Sequence, residues 1–174
     1  HDLLFADRAG FDVTLRRVSP YVTEFWAITD ALLPYQKIMH EFSPDHISED
    51  IELQCLDFAG YLMEWLVRID PGYDIIHCND WQTGLAPVYL REHFGRHPDP
   101  SVASAWNRIR CLYSIHNIAY QGRFAPALME TANLDWRLFN HHQLEFHDSL
   151  CFLKAGIVYS DRVNTVSPTY AGEI

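Results

Sequence analysis

The chain has 174 residues, of which 48% are hydrophobic and 21% are charged. These values suit a compact globular domain and exclude an intrinsically disordered chain. The formal net charge of -10 disfavours a nucleic-acid partner, because binding a polyanion selects for a basic face. Binding of a neutral polymer does not require a basic face, so the net charge does not disfavour it. No apolar run approaches the roughly 18 residues of a membrane span, and no signal or transit segment is visible, so we expect a cytoplasmic protein without a membrane partner.

The cysteines favour the same compartment. The chain contains four of them, Cys55, Cys78, Cys111 and Cys151, and none belongs to a C-x-x-C pair. Cys78 and Cys111 lie in apolar runs that are typical of buried strands. We therefore interpret them as buried free thiols in a reducing environment rather than as disulfides.

Residues 1–47 form the least regular part of the sequence, and we treat them as a separate, poorly assigned segment. Apolar and polar residues alternate from Phe11 to Arg16, which indicates an early strand. Residues from Trp26 to His40 have the composition of a helix, although Pro34 interrupts it.

Residues 48–174 alternate predicted helices with predicted strands. Ser48 and the acidic residues after it are typical of a helix start, because they satisfy the first backbone N–H groups and the helix dipole. Pro87 is expected to limit the early part of the second helix. The predicted helices cover Glu52–Val67, about Gln82–His93 and about Leu144–Tyr159.

Three short runs rich in β-branched residues separate these helices: Tyr73–Cys78, Ile109–Ile115 and Arg162–Val166. Continuous apolar runs of this kind suit the interior of a parallel sheet that is covered on both faces. Strands that alternate with helices require right-handed crossovers. The sequence therefore predicts an α/β fold with a doubly wound, Rossmann-like parallel sheet.

Polar residues follow each predicted strand, where an open α/β sheet binds its ligands. Asp80 follows the first strand, His116 and Asn117 follow the second, and Ser167 follows the third. Each has a structural alternative. Asp80 could cap the next helix, His116 could be a buried histidine bonded to backbone, and the neighbouring Trp81 is better explained by packing than by stacking on a ligand.

The remaining sequence patterns give weaker evidence for a functional site. His141, His142 and His147 lie close in sequence, but their spacing does not suit metal binding on one helix face. Glu145 and Asp148 could pair on a helix, although solvated surface acids explain them better. No G-x-S-x-G, phosphate-binding P-loop or dinucleotide G-x-G-x-x-G pattern occurs.

Four segments resemble the motifs of the bacterial-type glycogen/starch synthase family, in the same order and at similar spacing. Asp74–Leu90 is similar to the family's H-x-x-D-W-x-x-G-L segment, and Ser114–Gly122 to its H-N-x-x-Y-Q-G segment. Phe152–Gly156 and Thr165–Ile174 resemble the two segments that follow. Residues 1–47 show no such likeness.

The resemblance implies an enzyme of GT-B architecture, with two Rossmann-like domains and an active site between them. Such enzymes transfer glucose from ADP-glucose, sometimes UDP-glucose, to the non-reducing end of an α-1,4-glucan with retention, and they require neither a metal nor another cofactor. By this resemblance His116 lies near the transferred glucose, with Asn117 beside it. Asp80 lies on the sugar and acceptor side. Tyr120, Gln121 and Gly122 shape the loop that lines the cleft.

Two of the family's parts have no counterpart in these 174 residues: its K-x-G-G-L loop and its second domain, which hold the donor. We therefore expect an enzyme fragment with little or no activity of its own, in which the donor preference and oligomeric state are open. A non-catalytic glucan-binding or regulatory module is the alternative, and titration with maltooligosaccharides discriminates the two. A metal-dependent hydrolase built on the histidines is a third hypothesis, which elemental analysis tests.

Overall fold

A computed structural model describes the backbone of residues 3–6, 11–19 and 22–29 and the whole of residues 73–174. The chain divides into two compact units, His1–His46 and Ile47–Ile174. The predicted helix over Glu52–Val67 and the cysteine at position 55 lie outside the described residues.

The first unit contains an antiparallel sheet of three strands. They are β1 (Leu3–Ala6), β2 (Phe11–Ser19) and β3 (Val22–Thr29), in the order β1-β2-β3. The strand predicted from Phe11 is confirmed. The helix predicted from Trp26 is wrong at its start, because Trp26 pairs with Thr14 within β3. Cross-strand pairing in a hairpin overrides local helix propensity there. The rest of that predicted helix is outside the described residues.

The second unit is built on a parallel sheet of three strands, β4 (Ile75–Asn79), β5 (Arg110–Ile115) and β9 (Arg162–Thr165), in the order β4-β5-β9. Asn79 pairs with Ser114 and Ser114 pairs with Asn164. The three predicted strands and their parallel arrangement are confirmed. One face carries the core, since the side chains of Ile76, Cys78, Cys111 and Tyr113 are buried.

Helical segments connect β4 to β5. A 3-10 turn at Trp81–Thr83 precedes α1 (Ala86–Tyr89), which continues as a π-helix over Leu90–Phe94. The predicted helix from about Gln82 is thus present, and Pro87 lies in the first turn of α1, where a missing N–H costs no hydrogen bond. A further helix, α2 (Pro100–Arg108), was not predicted. Asp99 caps it by accepting a hydrogen bond from the Ser101 N–H at 2.8 Å.

Between β5 and β9 the chain forms a small antiparallel sheet, in the order β6-β8-β7, together with short helices. The elements are β6 (Arg123–Phe124), α3 (Leu128–Thr131), a 3-10 turn (Trp136–Leu138), β7 (Glu145–Phe146), β8 (Ser149–Cys151) and α4 (Phe152–Tyr159). After β9 comes α5 (Pro168–Ala171).

The helix predicted over Leu144–Tyr159 is therefore wrong in its first half. Residues from Glu145 to Cys151 form a hairpin, and its turn residues His147 and Asp148 both have positive φ, at 49° and 59°. A right-handed helix cannot contain that turn. β8 also pairs with β6, so contacts distant in sequence override the local apolar pattern. Glu145 and Asp148 therefore cannot pair on one helix face, because no helix forms there. Instead, the Glu145 carboxylate accepts a hydrogen bond from the Asp148 N–H.

The core beneath the sheet is aromatic. Trp81 is 1% exposed, and its ring centroid lies 5.7 Å from that of Phe124 and 6.4 Å from that of Phe152. Its predicted role in packing is confirmed. Cys78, Cys111 and Cys151 are free and buried, as expected. No helix among the described residues is long and apolar enough to cross a membrane.

Candidate active site at the carboxyl edge of the parallel sheet

The ends of β4 and β5 lie side by side, because Asn79 and Ser114 are partners in a parallel ladder. Asp80 and His116 follow these two strands directly and therefore meet at the same edge of the sheet. The start of α5 follows β9 at that edge. This is the edge at which an open α/β sheet binds ligands.

Asp80 holds His116 at two points. One carboxylate oxygen, Oδ1, accepts a hydrogen bond from the His116 backbone N–H at 2.8 Å, and the other, Oδ2, lies 3.0 Å from Nδ1 of its ring. A carboxylate only accepts hydrogen bonds, so Nδ1 carries a proton and Nε2 remains as the ring atom for a ligand. The His116 side chain is 49% exposed, which leaves the ring accessible. The sequence-based alternatives are wrong for both residues: Asp80 makes no side-chain cap, and His116 is not buried.

The backbone of Asp80 is unusual. Its φ of 56° and ψ of 179° lie in a region that residues with a side chain rarely occupy, at a cost of roughly 1–3 kcal/mol. Several hydrogen bonds hold it there. The Asp80 N–H donates to the Ser114 carbonyl at 3.0 Å, and the Asp80 carbonyl accepts from the Tyr113 hydroxyl at 2.7 Å and from the Thr83 N–H at 3.2 Å. The Thr83 hydroxyl lies between the Asn79 carbonyl at 2.9 Å and the Asp80 carbonyl at 3.1 Å. This conformation turns the carboxylate towards the end of β5.

The segment after His116 is fixed by two local contacts. Asn117 accepts a hydrogen bond from the Ala119 N–H through its side-chain oxygen at 3.0 Å, an arrangement that forms a tight turn. Its carbonyl accepts from the Tyr120 N–H at 3.3 Å. The hydroxyl of Tyr170, on α5, accepts from the Ile118 N–H at 2.8 Å. This bond joins α5, which follows β9, to the loop that follows β5.

The backbone of Gln121 and Gly122 contacts the start of α4. The Gly122 carbonyl accepts a hydrogen bond from the Phe152 N–H at 2.9 Å, and that of Gln121 accepts from the Leu153 N–H at 3.0 Å, so the two carbonyls satisfy the first N–H groups of α4. Gly122 is buried. The structure thus brings Asp80, His116 and Asn117 to one edge, while contact of Tyr120, Gln121 and Gly122 with a substrate stays a prediction.

The histidine-rich stretch does not assemble a metal site. Within residues 73–174 no three His, Cys, Asp or Glu side chains come together in a way that could hold a metal ion. The rings of His141 and His142 lie with their centroids 3.7 Å apart, whereas His147 packs edge-on against Phe146.

Sequence reasoning missed three residues that shape the site: Thr83, Tyr113 and Tyr170. Thr83 and Tyr170 each lie in a segment that resembles a family motif, which was a usable signal. Tyr113 carried none, because a tyrosine in an apolar run is an ordinary packing residue by pattern alone.

The parallel sheet with its connecting helices has the fold of part of a Rossmann-like domain of the GT-B class. Within that class, the chain belongs to the starch synthase catalytic domain family, whose sequence pattern it matches over residues 21–174. The match begins well before residue 48 and therefore includes residues 21–47, which contain none of the four recognisable motifs.

Relatives and a solved structure agree with this assignment. The chain is 43% identical over 135 residues to a glycogen synthase of Pseudothermotoga lettingae, covering 76% of this chain and 26% of that protein. It is 33% identical to a glycogen synthase of Thermosipho melanesiensis, covering 100% of this chain and 37% of that protein. Its fold resembles the catalytic domain of starch synthase IV from Arabidopsis thaliana, solved with ADP and acarbose, with a TM-score of 0.66 and 21% identity over 94% of this chain and 31% of that one. The matches therefore span about a quarter to just over a third of the length of these proteins.

Proposed function

We propose that this chain supplies the acceptor-side half of the active site of a glycogen synthase, which transfers glucose from ADP-glucose to the non-reducing end of an α-1,4-glucan with retention. Family membership supports the reaction class. ADP in the solved starch synthase supports an adenine nucleotide as the leaving group, with UDP-glucose as the other candidate donor. Buried free thiols support a reducing, cytoplasmic setting.

The observation that carries the proposal is the double contact between Asp80 and His116 at the carboxyl edge of the sheet. Glucosyl transfer breaks the bond between C1 and the phosphate oxygen, whose electron pair leaves with the nucleoside diphosphate. The acceptor oxygen then bonds to C1, and its proton passes to the oxygen of the departing phosphate. Positive charge develops on the sugar ring meanwhile, and a fixed anion beside a polar ring stabilises such charge better than mobile water does.

In this scheme His116 is the catalytic residue, and its Nε2 accepts a hydrogen bond from a hydroxyl of the transferred glucose. Asp80 acts mainly through His116, since both of its oxygens are engaged there, and contributes its negative charge. Asn117, Tyr120, Gln121 and Gly122 form the loop beside the sugar. These contacts position donor and acceptor, which converts an encounter of two molecules into a reaction within one complex.

Incubation of the complete protein that contains this chain with ADP-glucose and a maltooligosaccharide tests the proposal. We expect stepwise addition of glucose through α-1,4 bonds, released again as maltose by β-amylase. No transfer from either ADP-glucose or UDP-glucose would contradict it. Residues 1–174 alone serve as a control and are expected to transfer little or no glucose. Their titration with the same oligosaccharide tests the alternative of a glucan-binding module, which failure to bind would exclude.

A further inference from the structure

The buried hydroxyl of Tyr113 makes a contact that no family motif explains. Tyr113 lies in the middle of β5 with 0% of its surface exposed, yet its hydroxyl donates to the carbonyl of Asp80 at 2.7 Å. That carbonyl belongs to the residue with φ of 56° that holds His116. The tyrosine therefore reaches the site through the backbone, without facing it.

We propose that Tyr113 is a positioning residue for catalysis: its hydroxyl holds Asp80 in its unusual conformation, and Asp80 in turn holds the His116 ring. This inference rests on the proposed function of His116 and names a residue that acts behind it. A strained conformation persists only when surrounding contacts fix it. The Tyr113 hydroxyl is well suited to this task, since the tyrosine ring has few conformations and little room to move.

Helix α4 provides that rigidity. A Cβ atom on Gly156, in the middle of α4, would lie 2.2 Å from Cε2 and 2.3 Å from Cζ of Tyr113. The ring thus lies directly on the helix backbone, in space that only glycine leaves open. Three links follow in order: α4 supports the Tyr113 ring, the ring holds the Asp80 backbone, and the Asp80 carboxylate holds His116.

The chemistry of the hydroxyl suits a permanent donor. Burial, above all, and neighbouring groups that include Asp80 raise the pKa of Tyr113 well above its ordinary value. The proton therefore stays on the hydroxyl across the whole pH range in which the enzyme could work. The Thr83 N–H also donates to the Asp80 carbonyl, at 3.2 Å, so loss of the Tyr113 hydroxyl should loosen Asp80 rather than release it.

The substitution Tyr113→Phe removes the hydroxyl and keeps the ring against Gly156. Tyr89→Phe is a matched control, because Tyr89 is also buried and donates to a backbone carbonyl, that of Ala132, at 2.9 Å. Each variant loses a buried hydrogen bond from a tyrosine hydroxyl to a backbone carbonyl, so we expect similar losses of thermal stability. Only Tyr113→Phe should lower kcat, by about three- to tenfold, the rate equivalent of one ordinary hydrogen bond, with KM for the glucan nearly unchanged.

A second measurement does not depend on activity. Nitrogen-15 NMR of the complete protein, labelled at histidine, reports which ring nitrogen of His116 carries the proton. We expect the Nδ1–H form in the wild type and in Tyr89→Phe, and a larger share of the Nε2–H form in Tyr113→Phe. Equal kcat in the two variants together with an unchanged His116 signal would overturn the role of Tyr113. Absence of glucosyl transfer in the wild type would instead count against the proposed function, and the NMR result would still decide the positioning role.

Discussion

Gly122 lies against the indole of Trp81, so closely that a Cβ atom at position 122 would come within 2.3 Å of Cε3 of that ring. Gly122 also has φ of 58°, a conformation that disfavours any side chain. Because Trp81 is buried and follows Asp80 directly, this contact links the loop after β5 to the segment that carries Asp80. The glycine is required by both space and backbone conformation.

Gly122→Ala is expected to destabilise the complete protein by about 2–4 kcal/mol, the sum of overpacking against Trp81 and an unfavourable backbone conformation. Thermal unfolding measures the loss. Gly172→Ala is the matched control, since a Cβ there would meet nothing closer than 3.4 Å and φ is -86°. Equal unfolding temperatures for the two variants would show that neither the contact with Trp81 nor the positive φ requires glycine at position 122.

At the opposite end of the sheet, Asp161 ties three elements together. Its carboxylate accepts hydrogen bonds from Arg91 at 2.6 Å, Arg110 at 2.9 Å and the Cys111 N–H at 2.7 Å. Asp161→Asn keeps the shape but loses the charge and at least one acceptor. We expect the free energy of unfolding to fall by about 1–2 kcal/mol in urea denaturation. Asp148→Asn, in the exposed turn between β7 and β8, should change it by less than about 0.5 kcal/mol.

The contribution of Asp161 to the free energy of unfolding should decrease as the pH falls. Partial burial by itself would raise the pKa of this carboxyl, but the hydrogen bonds from Cys111 and Arg110 and the charge of Arg91 outweigh it and hold the pKa below the ordinary 3.8. The stabilisation is therefore complete above the unfolded-state pKa and is lost as pH falls through the lower, folded-state value. The difference between wild type and Asp161→Asn should be constant near neutral pH and shrink below about pH 4. A difference that grows on acidification would contradict this assignment.

The parallel sheet could be predicted because its strands lie in short runs rich in β-branched residues that alternate with helical patterns. The hairpin of β7 and β8 could not be predicted in the same way. Its strands are too short to show an alternating pattern, and β8 is held by the pairing of Leu150 with Phe124 in β6, far earlier in the chain. The missed helix α2 did carry a signal, since Asp99 followed by Pro100 is a typical helix start.

The hairpin offers a test of its own. Its two-residue turn has positive φ at both His147 and Asp148, the geometry for which Asn-Gly is favoured. The double substitution His147→Asn/Asp148→Gly should raise the free energy of unfolding by about 1 kcal/mol. Asp148→Val should lower it, because a β-branched residue strongly disfavours positive φ. If thermal unfolding ranks the two variants in the opposite order, the turn is not of this type.

The sequence predicted which residues meet at this edge of the sheet but not how they contact one another. The rule that ligands bind at strand ends selected Asp80, His116 and Asn117 from the sequence alone. It did not reveal that Asp80 binds His116 rather than capping the next helix, because that depends on a backbone conformation rare for aspartate. Nor did it indicate Tyr113, whose hydroxyl reaches Asp80 from within the core.

The most direct measurement of the central claim is the rate of glucosyl transfer by the complete protein carrying His116→Ala. We predict that kcat falls by about 100- to 1000-fold, as expected when a fixed polar group at the reacting sugar is lost. His142→Ala is the control, because His142 is exposed and belongs to the stretch before β7, and its kcat should equal that of the wild type. A near-normal kcat for His116→Ala would contradict the assignment of this edge as the catalytic site.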